Sequence, residues 1–461
     1  MTLLEHPRPA AAAPEPAPAR RPRLRLAPGW AIGATVAGYP VWWALGLTPV
    51  VFPLAALVLV WEMRHLGRRL RVPPGFWLWV LFLAVVLLSG VMLDATAPGT
   101  VPPSGSGRFA TFVLRLVNYT SVSVFMLYVI NRSELDLPRV RVIRWMALLG
   151  VWTVLLGLAG VLFPGASFPT AVTLLLPASV NELLGGTGQA TAALAQVQPV
   201  LGVAAPRPAA PFAFTNAWGN NLSLLLVWLV ALAVVSGRRT RLLVGALAVV
   251  SAVPIVYSLN RGMWIGLGLS LLYVAVRLAT RGRLVVLGAL VLVSVVSAVA
   301  FAVSPLQTIV SERLDAGHSN DTRTSLAGDA LRAAESSPLL GYGSTRETIG
   351  SGASIAIGQS ADCPKCGNLN IGSTGQFLLL LIAQGFTGLA LYVAYFVRTL
   401  WAYRADASPV GIAGTLVLLL TLFYGFFYTG LLMPLAVAFL SIGLLWRNAE
   451  ARRAAAVASP A

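Results

Sequence analysis

The stretch TPVVFPLAALVLVWEMRHLGRRLRVPPGFWLWVLFLAVVLLSGVML (48–93) decides the fold. Two apolar runs, 48–62 and 75–93, flank a short break that holds Arg64, Arg68, Arg69 and Arg71. Each run approaches the roughly 20 residues that a helix needs to cross a bilayer. Arginines crowded between two such runs mark a connection on the cytoplasmic side.

The same pattern repeats in both directions. Apolar runs lie at 30–47, 48–62, 75–93, 108–130, 145–163, 217–236, 242–258, 262–279, 284–303, 376–397, 410–429 and 431–446, about twelve spans in all. Arg132, Arg139, Arg141 and Arg144 follow the fourth run, Arg238, Arg239 and Arg241 the sixth, Arg277, Arg281 and Arg283 the eighth. Arg398 and Arg404 follow the tenth, and Arg447, Arg452 and Arg453 the last. Alternate connections are therefore basic, which predicts a multi-pass plasma-membrane protein with both termini in the cytoplasm. Only Arg108, Arg207, Arg261, Arg313, Arg323, Arg332, Arg346 and Lys365 fall on the outer side, and Arg115 lies within a span.

Composition agrees. The chain has 461 residues, 57% hydrophobic and 11% charged, against about 25% charged in a soluble domain. This excludes a water-soluble enzyme and, away from the termini, a disordered chain. The formal charge of +17 is a sidedness signal and an attraction to anionic lipid headgroups, not the footprint of nucleic-acid binding. Two cysteines exclude a disulfide scaffold, and His6, His65 and His318 leave no cluster for a metal. No metal and no cofactor is expected.

Residues 1–28 are Pro/Ala-rich and read as a cytoplasmic tail, as do 448–461. Between them lie a membrane bundle at 29–303, an extracytoplasmic segment at 304–375 and the last three spans within 376–447. An outer segment at 164–216 is apolar, with the single charged pair Glu182 and Arg207. The 304–375 segment is the longest and most polar, and loops of that length carry function or lack order. Within it, DTRTSLAGDALRAAE (321–335) predicts a short helix with Asp321 as N-cap.

Candidate functional residues follow from the outer arginines. A guanidinium binds phosphate oxygens in a fork and keeps its charge when partly desolvated. Arg261, in SLNRGMWIGL, either serves such an anion or snorkels at the interface beside Trp264. Arg115, inside an apolar run, faces a cavity or pairs within the bundle. Arg323, Arg332 and Arg346 share their loop with Asp321, Asp329, Glu335 and Glu347, as substrate ligands or as a solvated mixed-charge surface. Cys363 and Cys366, in DCPKCG, read as a disulfide staple. A redox role would need a βαβ context, and zinc would need two further ligands from His318 and Asp362.

Four stretches resemble the O-antigen ligase/polymerase superfamily: PFAFTNAWGNNLSLLLVWL (211–229), SLNRGMWIGL (258–267), ERLDAGHSNDTRTSLAGDALRAAESSPLLGYG (312–343) and GSTGQFLLLLIAQGFTGLALY (372–392). The resemblance implies an all-α, GT-C-like polytopic bundle with a large outer loop. It implies a donor of undecaprenyl-pyrophosphate-linked glycan, with no metal and no nucleotide sugar. Arg261 and Arg323 fall on the family's pyrophosphate-binding arginines, and Arg115, Arg207, Asn216, Arg332 and Arg346 become further substrate contacts. The family's ligases carry a His-Asn pair that falls here on Thr374 and Gly375, neither of which abstracts a proton near neutral pH. Asp321, Glu347 and Asp362 are then the candidate bases. That departure favours a polysaccharide polymerase over a ligase. A lipid-linked-glycan flippase and a non-catalytic partner of other polysaccharide-assembly proteins are the readings from other classes. The sidedness is directly testable: a reporter enzyme that works only in the cytoplasm, fused after Ala461, is expected to be active. An inactive but folded fusion contradicts it.

Overall fold

The computed structural model describes residues 26–64, 69–103, 107–177, 190–199, 204–285, scattered positions at 287–295, 318–349 and 368–458. Asp362, Cys363 and Cys366 lie outside the described residues, as do the side chains of His318 and Asp321. The described chain is mostly helical. Helices α1 (Trp30–Val36), α2 (Tyr39–Leu45), α3 (Thr48–Arg64) and α4 (Phe76–Leu88) precede α5 (Gly107–Asn131) and α6 (Arg139–Leu162). Two short antiparallel ribbons follow, β1 (Ser167–Pro169) with β2 (Thr191–Ala193) and β3 (Ala195–Pro199) with β4 (Ala204–Pro208), enclosing α7 (Ala171–Leu175). Then come α8 (Thr215–Val235), α9 (Arg238–Tyr257), α10 (Arg261–Ala279) and α11 (His318–Ser336). The ribbon β5 (Arg346–Glu347) with β6 (Asn370–Ile371) leads to α12 (Gln376–Tyr403), α13 (Pro409–Tyr424) and α14 (Met433–Ala458).

Six of these helices, α5, α6, α8, α9, α10 and α12, are long and apolar enough to cross a membrane. Three expectations need correction. The run at 30–47 is two seven-residue helices, broken where Pro40 enters at the start of α2 and cannot donate to the preceding turn. Helix α11 begins at His318, so Asp321 lies in its first turn and is not its N-cap; an acid there still suits the helix dipole. The tail expected from 448 is helical as far as Ala458, because its alanines favour helix and Arg453 pairs with Glu450 one turn back at 2.7 Å.

Arginines from the basic connections gather at one end of the bundle. Arg132 pairs with Glu62 at 3.2 Å, while Arg139 and Arg447 share Glu134 at 3.1 and 2.6 Å. Arg452 reaches Asp406 at 2.8 Å, and Arg277 donates to the Arg404 and Asp406 carbonyls. The connections after α3, α5, α10, α12 and at the C-terminus thus lie together. The core between the ends is aromatic: Trp79 of α4 stacks among Phe82, Tyr119, Tyr392, Tyr395 and Phe439, and its indole N–H donates to Ser123 at 2.7 Å.

At the opposite end, α12 kinks at Gly385, whose φ of 64° and ψ of −167° leave the helix. The Thr387 amide, which would otherwise reach Ala383, donates instead to the Pro338 carbonyl at 3.3 Å. Tyr342 and Gly343 in turn donate to the Ile382 and Ala383 carbonyls at 2.9 and 2.8 Å. The turn PLLGYG (338–343) is therefore plugged into the kink. Gly341, at φ +61°, makes this possible: a Cβ there would stand 2.6 Å from the α12 backbone. Beneath the turn, Leu326, Ala330, Ala333 and Ala334 of α11 pack with Ala97, Tyr342, Ile371 and Ile382 in a small core of their own.

Arg346 locks this layer to the bundle. Its side chain is 1% exposed, and its terminal nitrogens lie 2.9–3.2 Å from the carbonyls of Met92, Leu93, Ala95, Tyr342, Ser344 and Thr345. Burial and the neighbouring Arg108 charge push its pKa down to about 10, so it stays charged at neutral pH. Its terminal nitrogens are taken up by backbone carbonyls, while its buried Nε has no hydrogen-bond partner among the described residues; the geometry is that of a scaffold where the sequence suggests a substrate ligand. Gly341→Ala is expected to lower the thermal unfolding midpoint in detergent, at a cost of roughly 3 kcal/mol from left-handed backbone and clash. Gly165→Ala, whose Cβ would meet nothing within 4 Å, is expected to leave it unchanged. Arg346→Ala should destabilise by about 2–4 kcal/mol, since it orphans buried carbonyls; unchanged melting would contradict the clamp.

Candidate functional site

The site is built where α9 turns into α10. Leu259 takes a left-handed φ of 51°, unusual for a branched side chain and a feature that collects at functional sites. Asn260 then caps α10, its Oδ1 accepting from the Met263 amide at 3.2 Å, which makes Arg261 the first helical residue. Asparagine ahead of an apolar run is a legible start signal; the strained turn before it is not.

Three elements close over this point. The hairpin β3–β4 sets Gln196 opposite Arg207, and Arg207, 6% exposed, donates from Nε to the Ser258 carbonyl at 2.6 Å. Gln196 accepts from the Thr215 amide at 3.0 Å and so ties the hairpin to the start of α8. Helix α11 brings in Arg323. Burial lowers its pKa, nearby Tyr428 counteracts this, and the adjacent Arg261 charge lowers it further. The turn between α13 and α14 supplies Tyr428, whose hydroxyl donates to Asn260 Oδ1 and which also feels Arg207. Arg207 and Arg323, far apart in sequence, thus act on one tyrosine, and Arg261, next to the Asn260 that the tyrosine bonds, acts on Arg323.

A buried amide extends the site inward. Gln376, 2% exposed at the start of α12, donates to the Tyr119 hydroxyl at 2.9 Å and accepts from the Gly430 amide at 2.8 Å. Its own amide donates to the Tyr428 carbonyl at 2.8 Å. Beside it is a small cavity lined by Asn220, Gln376, Tyr392, Tyr424, Tyr428 and Gly430. Thr374, at the position of the family's histidine, has a buried hydroxyl with no hydrogen-bond partner among the described residues.

The other predicted residues scatter. Arg115 is buried on α5, one turn from Tyr119. Arg332 points outward and pairs with Asp329, and Asn216 is exposed in the first turn of α8. Glu347 lies on β5, whose neighbours are β6 and residues 99–101. Asn260, Gln376, Tyr428 and Asn220 escape a charge-based reading because they are neutral. Gln376 and Asn220 do stand inside the quoted motifs, as polar residues at the mouths of apolar runs. Tyr428, within the aromatic run FYGFFYTG, reads as span. Among the described residues no group of three His, Cys, Asp or Glu could hold a metal ion.

Residues 246–393 match the sequence model of the O-antigen ligase family. No curated protein matches the chain in sequence. The matched segment runs from within α9 through Arg261 and Arg323 to the kinked α12. It contains three of the four motifs that carry the resemblance, and the fold joins two of them physically at the Gly385 kink. Over this segment, about a third of the chain, the match supports the resemblance to the O-antigen ligase/polymerase superfamily that the motifs carry.

Proposed function

We propose that the protein is a membrane transferase of lipid-linked glycans, with the site at the outer face of the plasma membrane and about twelve spans. The convergence of Arg207 and Arg323 on Tyr428, with Arg261 beside Arg323, carries this reading. Gathering like charges in a partly buried place is unfavourable by itself, and an anion shared among them relieves it. The family match makes a polyprenyl diphosphate the fitting anion. The bundled arginines at the other end support a cytoplasmic location for both termini.

In this reading an acceptor sugar hydroxyl attacks the anomeric carbon of the donor in one inverting step. The bond from that carbon to the diphosphate oxygen breaks, and the electron pair leaves on the diphosphate. Arg261 and Arg323 neutralise the charge that grows there, and Arg207, held against the α9–α10 turn, adds to the field. The hydroxyl proton passes to a base. Thr374 cannot serve, which leaves Asp321, Glu347 and Asp362 as candidates. Without the ligase histidine, polymerisation of polysaccharide repeat units is the favoured reaction.

The test is release of undecaprenyl diphosphate by purified protein from a pool of undecaprenyl-diphosphate glycans. Arg261→Ala is expected to reduce release at least about 100-fold with folded protein retained. Arg261→Lys should recover little, because an ammonium does not reproduce the fork. Undiminished release by Arg261→Ala would overturn the proposal.

A further inference from the structure

Helix α5 carries two arginines that the cluster around Tyr428 does not use. Arg108 and Arg115 stand seven residues apart, hence on one face of the helix. Each has a buried Nη1 with no hydrogen-bond partner among the described residues. Arg115 is only 9% exposed, and no described salt bridge includes either residue. An unneutralised guanidinium inside an apolar bundle is costly, and by default it marks a place where a ligand's charge comes. The arrangement also answers the question that Arg115 poses in sequence, since no acidic partner from the bundle reaches it among the described residues.

This basic face is separate from the first. Helix α5 packs against α3, α4 and α14, whereas α10 packs against α8 and α13, and α11 against α12. What joins the two is uncharged: Tyr119, one turn beyond Arg115, accepts from Gln376, which holds the 428–430 turn and so the tyrosine of the arginine cluster. Arg115 lies eight residues into α5, about 12 Å along the helix from its start. Arg108 stands at the entrance, near Arg346.

From this we infer that Arg108 and Arg115 form a second anion site, which holds the diphosphate of a second polyprenyl-linked glycan, the acceptor. The inference rests on the transferase reading above and deepens it. A polymerase whose two substrates are both lipid-linked must hold two diphosphates at once. A ligase with a different acceptor needs only one such site.

The test uses the full chain in phosphatidylcholine nanodiscs, with farnesyl diphosphate as probe and bound molecules counted by native mass spectrometry. Two per chain are expected for the wild type. Arg115→Met, which keeps an apolar stem, is expected to hold one, with affinity at the α5 site at least tenfold weaker. Its melting temperature without ligand should not fall, because it removes a charge that has no internal partner; a marked fall would show an internal ion pair and overturn the inference. Arg261→Ala should lose the other molecule and keep this one. A wild type that binds one molecule, lost in Arg261→Ala, overturns the inference, as does Arg115→Met that still binds two. Loss of the α5-bound probe when phosphatidylglycerol replaces phosphatidylcholine also overturns it, because the site would then take a bulk lipid headgroup. If Arg261→Ala keeps both molecules while Arg115→Met loses one, the α5 site stands and the role given to Arg261 fails.

Discussion

The carbonyls of Ile382 and Ala383 sit at a break in a helix, among apolar side chains, where an unpaired backbone group costs more than it would in water. The amides of Tyr342 and Gly343 satisfy them, and the Pro338 carbonyl takes the amide that the kink sets free. Everything above that end of the bundle depends on this exchange. It fixes the turn at the end of α11, α11 carries Arg323, and Arg323 must stand beside Arg261 for the charges to act together. Gly341 and Gly385 allow two backbones to meet closely enough for it.

A second set of contacts holds the same layer from the other side. Arg346 gathers carbonyls from residues 92–95 and 342–345, which ties the loop to the end of α4. Arginine is used here as scaffold, and at Arg261, in the function we propose, as a charge for the substrate. The guanidinium fork suits both, since its several donors can be satisfied by carbonyls as well as by phosphate. Surroundings, not residue type, separate the two uses.

That distinction shows where sequence stops being informative. The apolar runs and basic breaks are one-dimensional signals, so the helical membrane architecture is legible, whereas Arg261 and Arg323 are singled out together only through the family resemblance. Whether Arg346 faces a ligand or six carbonyls depends on segments some 250 residues apart in sequence, which spacing alone does not encode. Tyr428 and Gln376 are invisible for a related reason: neutral residues in apolar runs acquire a role only when the fold sets them beside charges. The break at 30–47 and the helical C-terminus were decided locally, by Pro40 and by an alanine-rich segment, and a finer reading of propensity would reach both.

The most direct measurement is an experimental structure of the protein with a polyprenyl diphosphate bound. Phosphate density within hydrogen-bond reach of both Arg261 and Arg323, beside Tyr428, is the expected result. A diphosphate held elsewhere, with Arg261 and Arg323 turned away from it, would contradict a shared anion as the reason these arginines converge.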